Sequence, residues 1–168
     1  MSKPDLPALE ETPEKRALQA YNAAVRLLGS RDHSVSELSR KLRQREHGDE
    51  AIQSAIEELQ ELNYVNDRRY AQRFVEQRLA KGRGPLLIRS KLIERGVDQS
   101  LIKAAFAEQT ECWSHFARLA LEKRFTSEVI ISRDKPDEAR IARFLSSRGF
   151  AMSDSLRALK AARSDLQS

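Results

Sequence analysis

One cysteine in 168 residues, Cys112, leaves no partner for an internal disulfide, so the chain is expected in a reducing compartment, most simply the cytoplasm. No apolar run of the roughly 18 residues a membrane span needs is present, and none follows the first methionine; neither a span nor a secretory signal is expected. Six glycines and five prolines give few helix breaks, aromatics are only 6% of the chain, and no strand-like alternation lasts beyond a few residues. The expected fold class is therefore all-α.

Catalytic signatures are equally sparse. Gly82 and Gly84 follow no strand, and neither the Gly-x-x-x-x-Gly-Lys-Ser/Thr nor the Gly-x-Gly-x-x-Gly phosphate pattern is present. Cys112 and His115 lack the further ligands a metal centre needs, so Cys112 is expected to be a buried thiol. His33 and His47 fall near helix ends, where caps and solvent would account for them. The carboxylates lie mostly on polar helix faces, without an isolated pair for acid–base work. No enzymatic activity, cofactor or metal is expected.

The stretch Lys81 to Val97 organises what is present. Gly82, Gly84 and Pro85 interrupt a helical pattern, and a new helix starts at Pro85, because proline is tolerated at a first helical position but not inside a helix. Gly96 ends it by taking the left-handed conformation. Ile88, Leu92 and Arg95 in this helix repeat the spacing of Leu38, Leu42 and Arg45, and of Ile141, Leu145 and Arg148, at offsets of 50 and 53 residues. Gly96 and Gly149 directly follow their arginines, whereas Gly48 comes two residues late. Such a period predicts an array of three tandem three-helix modules, each marginal alone and leaning on its neighbours.

Residues 1–12 read as a flexible leader, 13–65 as the first module, 66–110 as the second, and 111–168 as the third with a connector at 126–135. Thr12 should cap the first helix, whose apolar side carries Ala17, Ala20, Tyr21, Ala24, Val25 and Leu28. Ser34 with Glu37 forms a capping box for the second helix. The third turns Ile52, Ile56, Leu59 and Leu62 inward and shows five acids outward. In module two, Tyr70, Ala71, Phe74, Val75 and Leu79 face inward. Leu86, Ile88, Leu92 and Ile93 do so in the next helix, and Asp98 caps the last. Helices over Trp113 to about Phe125, Pro136 to Arg148 and Ser153 to about Arg163 complete the third module. Val129, Ile130 and Ile131 should pack the connector, or form a short strand without a partner.

The formal net charge is +5, yet Arg68 to Arg95 alone holds nine bases against two acids. A basic middle between acidic flanks suits contact with a polyanion or an acidic protein surface; a solvated helix face is the simpler alternative. Three-helix units resemble helix-turn-helix domains, whose third helix enters the major groove. The acidic helix Asp49 to Leu62 would be repelled there, module two's third helix offers only Lys103, and only Arg157, Lys160 and Arg163 of module three keep that role open. The repeated middle helix is the better surface, with Lys91 and Arg95 together outside the apolar arc and Lys41 and Arg45 their equivalents. Complementing the helix dipole is the competing explanation for a single terminal arginine. Arg89 projects into the arc and is expected at a module junction with its stem packed.

Leu62-Asn63-Tyr64-Val65-Asn66-Asp67 with Tyr70-Ala71, Lys81-Gly82 with Ile88, Leu92 and Gly96-Val97, and Arg143-Phe144-Leu145-Ser146-Ser147-Arg148-Gly149-Phe150 together resemble the RecX family, small helical regulators of the RecA recombinase. The likeness spans about residues 15 to 163; the leader, the connector and His47-Gly48 depart from it. The resemblance implies an elongated, curved array lying in the groove of the RecA filament on single-stranded DNA. There it would inhibit the recombinase by hindering filament growth and favouring disassembly. On this reading Lys41, Arg45, Arg73, Arg83, Lys91, Arg95 and Arg148 meet acidic recombinase surface or DNA phosphate, and weak contacts at separate modules combine through effective concentration. A monomer is expected, with weak direct DNA contact at most. The alternatives are a DNA-binding regulatory or architectural protein working through the basic middle module, and an adaptor whose acidic and basic modules pair head-to-tail.

Overall fold

A computed structural model describes residues 12–109 and 112–167; the expected leader lies, Thr12 apart, outside the described residues. Among those residues there are ten helices and no strand. They are α1 (Pro13–Leu28), α2 (Val35–Arg43), α3 (Asp49–Glu61), α4 (Asp67–Ala80), α5 (Pro85–Glu94), α6 (Gln99–Ala107), α7 (Trp113–Arg124), α8 (Ser127–Ile131), α9 (Lys135–Arg148) and α10 (Met152–Leu166). The chain divides into two compact units, 1–66 and 67–168.

In the first unit, Thr12 caps α1 by accepting from Lys15 N at 3.3 Å, and Ser34 caps α2 by accepting from Glu37 N at 3.1 Å. The Glu37 carboxylate also holds Arg31 through both of its oxygens. Leu27, Leu38, Leu42, Ile52, Ile56 and Leu59 fill the core, and Ala20, Ala51 and Ala55 form a smaller patch where α1 and α3 meet. The buried side of α1 is Ala20, Ala23, Ala24 and Leu27. Val25, expected inward, is exposed, because the buried stripe lies about one residue away from the predicted one. Leu62, also expected inward, is exposed as the cap residue just past the end of α3.

The second unit contains two cores. Around α4 to α6 lie Tyr70, Phe74, Val75, Ile88, Leu92 and Ile102. Around α7 to α10 lie Leu121, Phe125, Ile130, Ile141, Leu145 and Leu159. Phe116 packs against both. Of the apolar arc expected on α5, only Ile88 and Leu92 are buried. Leu86 and Ile93 are 58% and 50% exposed, so this short helix packs through a single stripe.

The two cores are also joined through the backbone. Gly84 N donates to Arg148 O at 2.7 Å and Leu86 N to Gly149 O at 3.0 Å, so amides at the start of α5 are satisfied by carbonyls at the end of α9. The helix dipoles there meet with opposite partial charges. This approach requires both glycines: a Cβ on Gly84 would lie 2.4 Å from Gly149 O, and one on Gly149 would lie 2.4 Å from Leu87 Cβ.

The 50-residue repeat has a concrete counterpart at three helix ends. His47 N bonds Leu42 O at 3.3 Å, Val97 N bonds Leu92 O at 3.1 Å and Phe150 N bonds Leu145 O at 3.1 Å, the long bond of a Schellman turn. The left-handed residue in each is Glu46 (φ 65°), Gly96 (φ 70°) and Gly149 (φ 89°). Gly48 is not a late helix end: it is the N-cap of α3 with extended backbone. The third module departs furthest from expectation. The connector contains α8, neither loop nor strand, and Ile130 is its buried residue. Arg163 secures it by donating to Ile130 O at 2.8 Å and to Ser132 O, and by pairing with Glu138 at 3.0 Å.

Candidate partner-binding surface

Basic side chains on the repeated helix ends are the candidate contacts, and each unit presents them in its own way. In the first, Lys41 is half-buried and Arg45 exposed, both near the C-terminal end of α2. Close by, His33 is buried, 2% exposed, where a solvated ring was expected. Its Nδ1 lies 2.9 Å from Arg31 O, to which an Nδ1–H donates, and its Nε2 has no hydrogen-bond partner. Burial pushes the His33 pKa below its usual value, and the positive charge of Arg31 adds to the effect.

In the second unit, Arg95 is half-buried. Its guanidinium lies over the Phe74 ring at 4.8 Å and Nη1 donates to the Tyr70 hydroxyl. That cation–π contact ties the end of α5 to α4, so the Arg95 side chain serves packing as well as charge. Lys91 is half-exposed and pairs with Glu94 at 2.6 Å, an exposed pair of small energetic weight. Arg73 is exposed on α4, and Arg83 is half-buried in the turn before α5. Arg148 lies over Phe144 at 5.0 Å, at the junction where its carbonyl receives Gly84 N. The fold thus brings Arg83 and Arg148 to one junction, while Arg95 belongs to the edge of the α4–α6 core.

Two other expectations need correction. Arg163 is only 15% exposed and holds the connector, so it is not a free base on α10. Arg157 pairs with Asp154 at 3.6 Å yet is exposed, so it and Lys160 are the exposed cations of the three candidates for groove reading. Cys112 is exposed, with Sγ 3.1 Å from Ser114 Oγ, because it caps α7 from outside the core. The Arg89 guanidinium lies over Phe106 at 4.9 Å, and Phe106 in turn meets Trp113 edge-on at the start of α7.

The sequence reading missed Lys123 and Arg124 in the last turn of α7. With Lys81 and Arg148 they surround a cleft of about 410 Å³ between the end of α4, α7 and α9. An adjacent Lys-Arg pair at a helix end looks like ordinary dipole complement; only the tertiary packing sets it opposite Arg148.

The fold and this surface define a tandem three-helix repeat protein that displays basic side chains at its helix ends. Residues 20–59 match the model of the first three-helix domain of RecX and residues 66–105 that of the second. The chain is 38% identical over 134 residues to regulatory protein RecX of Vibrio parahaemolyticus, covering 80% of this chain and 85% of that one. To regulatory protein RecX of Chromohalobacter salexigens it is 39% identical over 127 residues, covering 76% and 82%. The chain belongs to the RecX family of regulatory proteins. The crystal structure of RecX from Lactobacillus salivarius shares the fold, with a TM-score of 0.73 at 20% identity over 92% of this chain and 98% of that one.

Proposed function

We propose that this protein regulates homologous recombination by binding the RecA recombinase filament in its groove, and that it inhibits ATP hydrolysis and strand exchange by hindering filament extension or favouring disassembly. It works by binding, without catalysis, in the cytoplasm and as a monomer. The observation that carries the reading is membership of the RecX family over four-fifths of the chain. The placement of the bases supports it. Lys41, Arg45, Arg73, Arg83, Lys91 and Arg148 offer charge at separate modules, so that individually weak contacts with acidic protein surface or phosphate can add along a filament. Arg95 contributes with a guanidinium already oriented by Phe74 and Tyr70.

The test is single-stranded-DNA-dependent ATP hydrolysis by a bacterial RecA recombinase, with the protein added substoichiometrically before or after filament assembly. Inhibition in both orders is expected. Inhibition only on prior addition would point to blocked nucleation, and no inhibition in either order would overturn the reading. The competing function, direct DNA binding through the basic middle module, predicts a tight, steeply salt-dependent complex with naked DNA.

A further inference from the structure

The cleft between the end of α4, α7 and α9 combines unpaired charge with apolar surface, and of its side chains the proposed function uses only Arg148. Its cations are Lys81, Lys123, Arg124 and Arg148, and among the described residues no acid lines it. Among the described residues none of these four forms an ion pair. Two acids of α7 and α10 are engaged elsewhere: Glu122 and Asp165 both hold Arg118, each at 2.6 Å. Between the cations the wall is apolar, with Leu79 and Phe116 to one side and Leu119, half-exposed, standing into solvent. A ring of unmatched positive charge around an apolar floor fits a ligand that is anionic at its edges and greasy at its centre.

The rings distinguish between two such ligands. Single-stranded nucleic acid binds on open aromatic faces that stack its bases. Here the Phe144 ring carries the Arg148 guanidinium at 5.0 Å and meets Phe125 edge-on at 5.4 Å. Phe116 packs against Trp113 at 6.1 Å and His115 at 5.7 Å. Both rings are engaged with neighbours, and the side chain that does stand out is the aliphatic Leu119. An aliphatic or aromatic side chain flanked by carboxylates matches this surface better than a base with its phosphate.

We propose that this cleft docks an acidic peptide segment of a partner protein, one in which a bulky apolar side chain sits between carboxylates. The apolar side chain rests on Leu119 and Leu79 while the carboxylates meet Lys81, Lys123, Arg124 and Arg148. The inference rests on the chemistry of the cleft alone and does not require that the partner be a recombinase. It can therefore fail, or hold, independently of the proposed function.

The test is fluorescence anisotropy of a labelled peptide of alternating glutamate and leucine with the full chain. Saturable binding that weakens with salt is expected. Leu119→Ser, and separately the pair Lys123→Glu and Arg124→Glu, should each weaken it about tenfold or more, as lost apolar contact and lost charge pairing predict. These side chains are exposed, so unchanged circular dichroism will show the variants folded, and Lys103→Glu on α6, outside the cleft, should bind as the parent does. A peptide with glutamine for glutamate, or serine for leucine, should fail to bind. Absence of binding by the alternating peptide overturns the proposal. So does charge-only binding indifferent to Leu119→Ser, and so does stronger, Leu119-independent binding of an oligothymidylate that displaces the peptide.

Discussion

The second helix of the first unit, α2, and the third helix of the third module, α9, end in the same turn, yet one places Glu46 and the other Gly149 in the left-handed position. The long backbone bond closes at both ends, so the turn itself does not demand glycine. What differs is the neighbour. Gly149 faces Leu87 so closely that no side chain fits, because its module is bonded by its backbone to the start of α5. Glu46 is exposed in a unit that closes its core with its own three helices. A repeat position can thus keep its local geometry while its residue type is set by what the fold places across from it.

The comparison breaks first at the junction. Gly149→Ala adds left-handed strain to the clash with Leu87, and Gly84→Ala drives a methyl into a carbonyl; each should cost about 2–4 kcal/mol in the second unit. Trp113, the one tryptophan, lies in that unit. Its fluorescence should therefore unfold earlier in urea while the transition of the first unit stays in place.

Arg163→Ala should cost about 2 kcal/mol, from the loss of charge-assisted bonds to Ile130 O, Ser132 O and Glu138, and Arg163→Lys should recover little because it lacks the fork. Thermal unfolding gives the size of the loss, and limited proteolysis should cut first between residues 126 and 135.

Acid should separate the units in the opposite sense. The folded-state pKa of His33 lies below its ordinary 6.5, chiefly through burial, so the unfolded chain binds the proton more tightly than the folded one. The stabilisation is fully present above pH 6.5 and is lost progressively as the pH falls from there through the lower folded value. Among the described residues the second unit buries no histidine, acid or lysine. Urea titrations between pH 7.5 and 5 should therefore show the first unit weakening while the tryptophan-reported transition holds, and His33→Leu should flatten that dependence.

The smallest effect is the sharpest check on the role of the neighbour. Glu46→Gly removes left-handed strain but loosens the unfolded chain, for a net gain of about 0.5 kcal/mol in the first unit. An equal and opposite response at Gly149 would show that strain alone, without the Leu87 contact, governs both sites.

Much of this fold was legible because it is local. The i, i+4, i+7 spacing of Leu38, Leu42 and Arg45 and of its two copies locates three equivalent turns, and Thr12, Ser34 and Asp98 do cap helices. What the sequence hid depends on residues far apart in the chain. Nothing near Gly84 reveals that Gly149 lies against it, and nothing near Arg95 reveals Phe74. The apolar run Val129-Ile130-Ile131 cannot distinguish a connector from one and a half helical turns, and it is Arg163, about thirty residues on, that holds them. The surface suffers most from this limit: repetition pointed to Arg45, Arg95 and Arg148, whereas Lys123 and Arg124 acquire their setting only when α7 folds against α9.

The most direct test of the account is co-sedimentation with preassembled RecA filaments on single-stranded DNA, set beside the same DNA without recombinase. Regulation through the filament predicts that the protein pellets with filaments well beyond its retention on DNA alone, and that charge reversal at Lys41 and Lys91 reduces that excess. Equal retention on both, falling steeply with salt, would contradict the account and identify DNA itself as the partner.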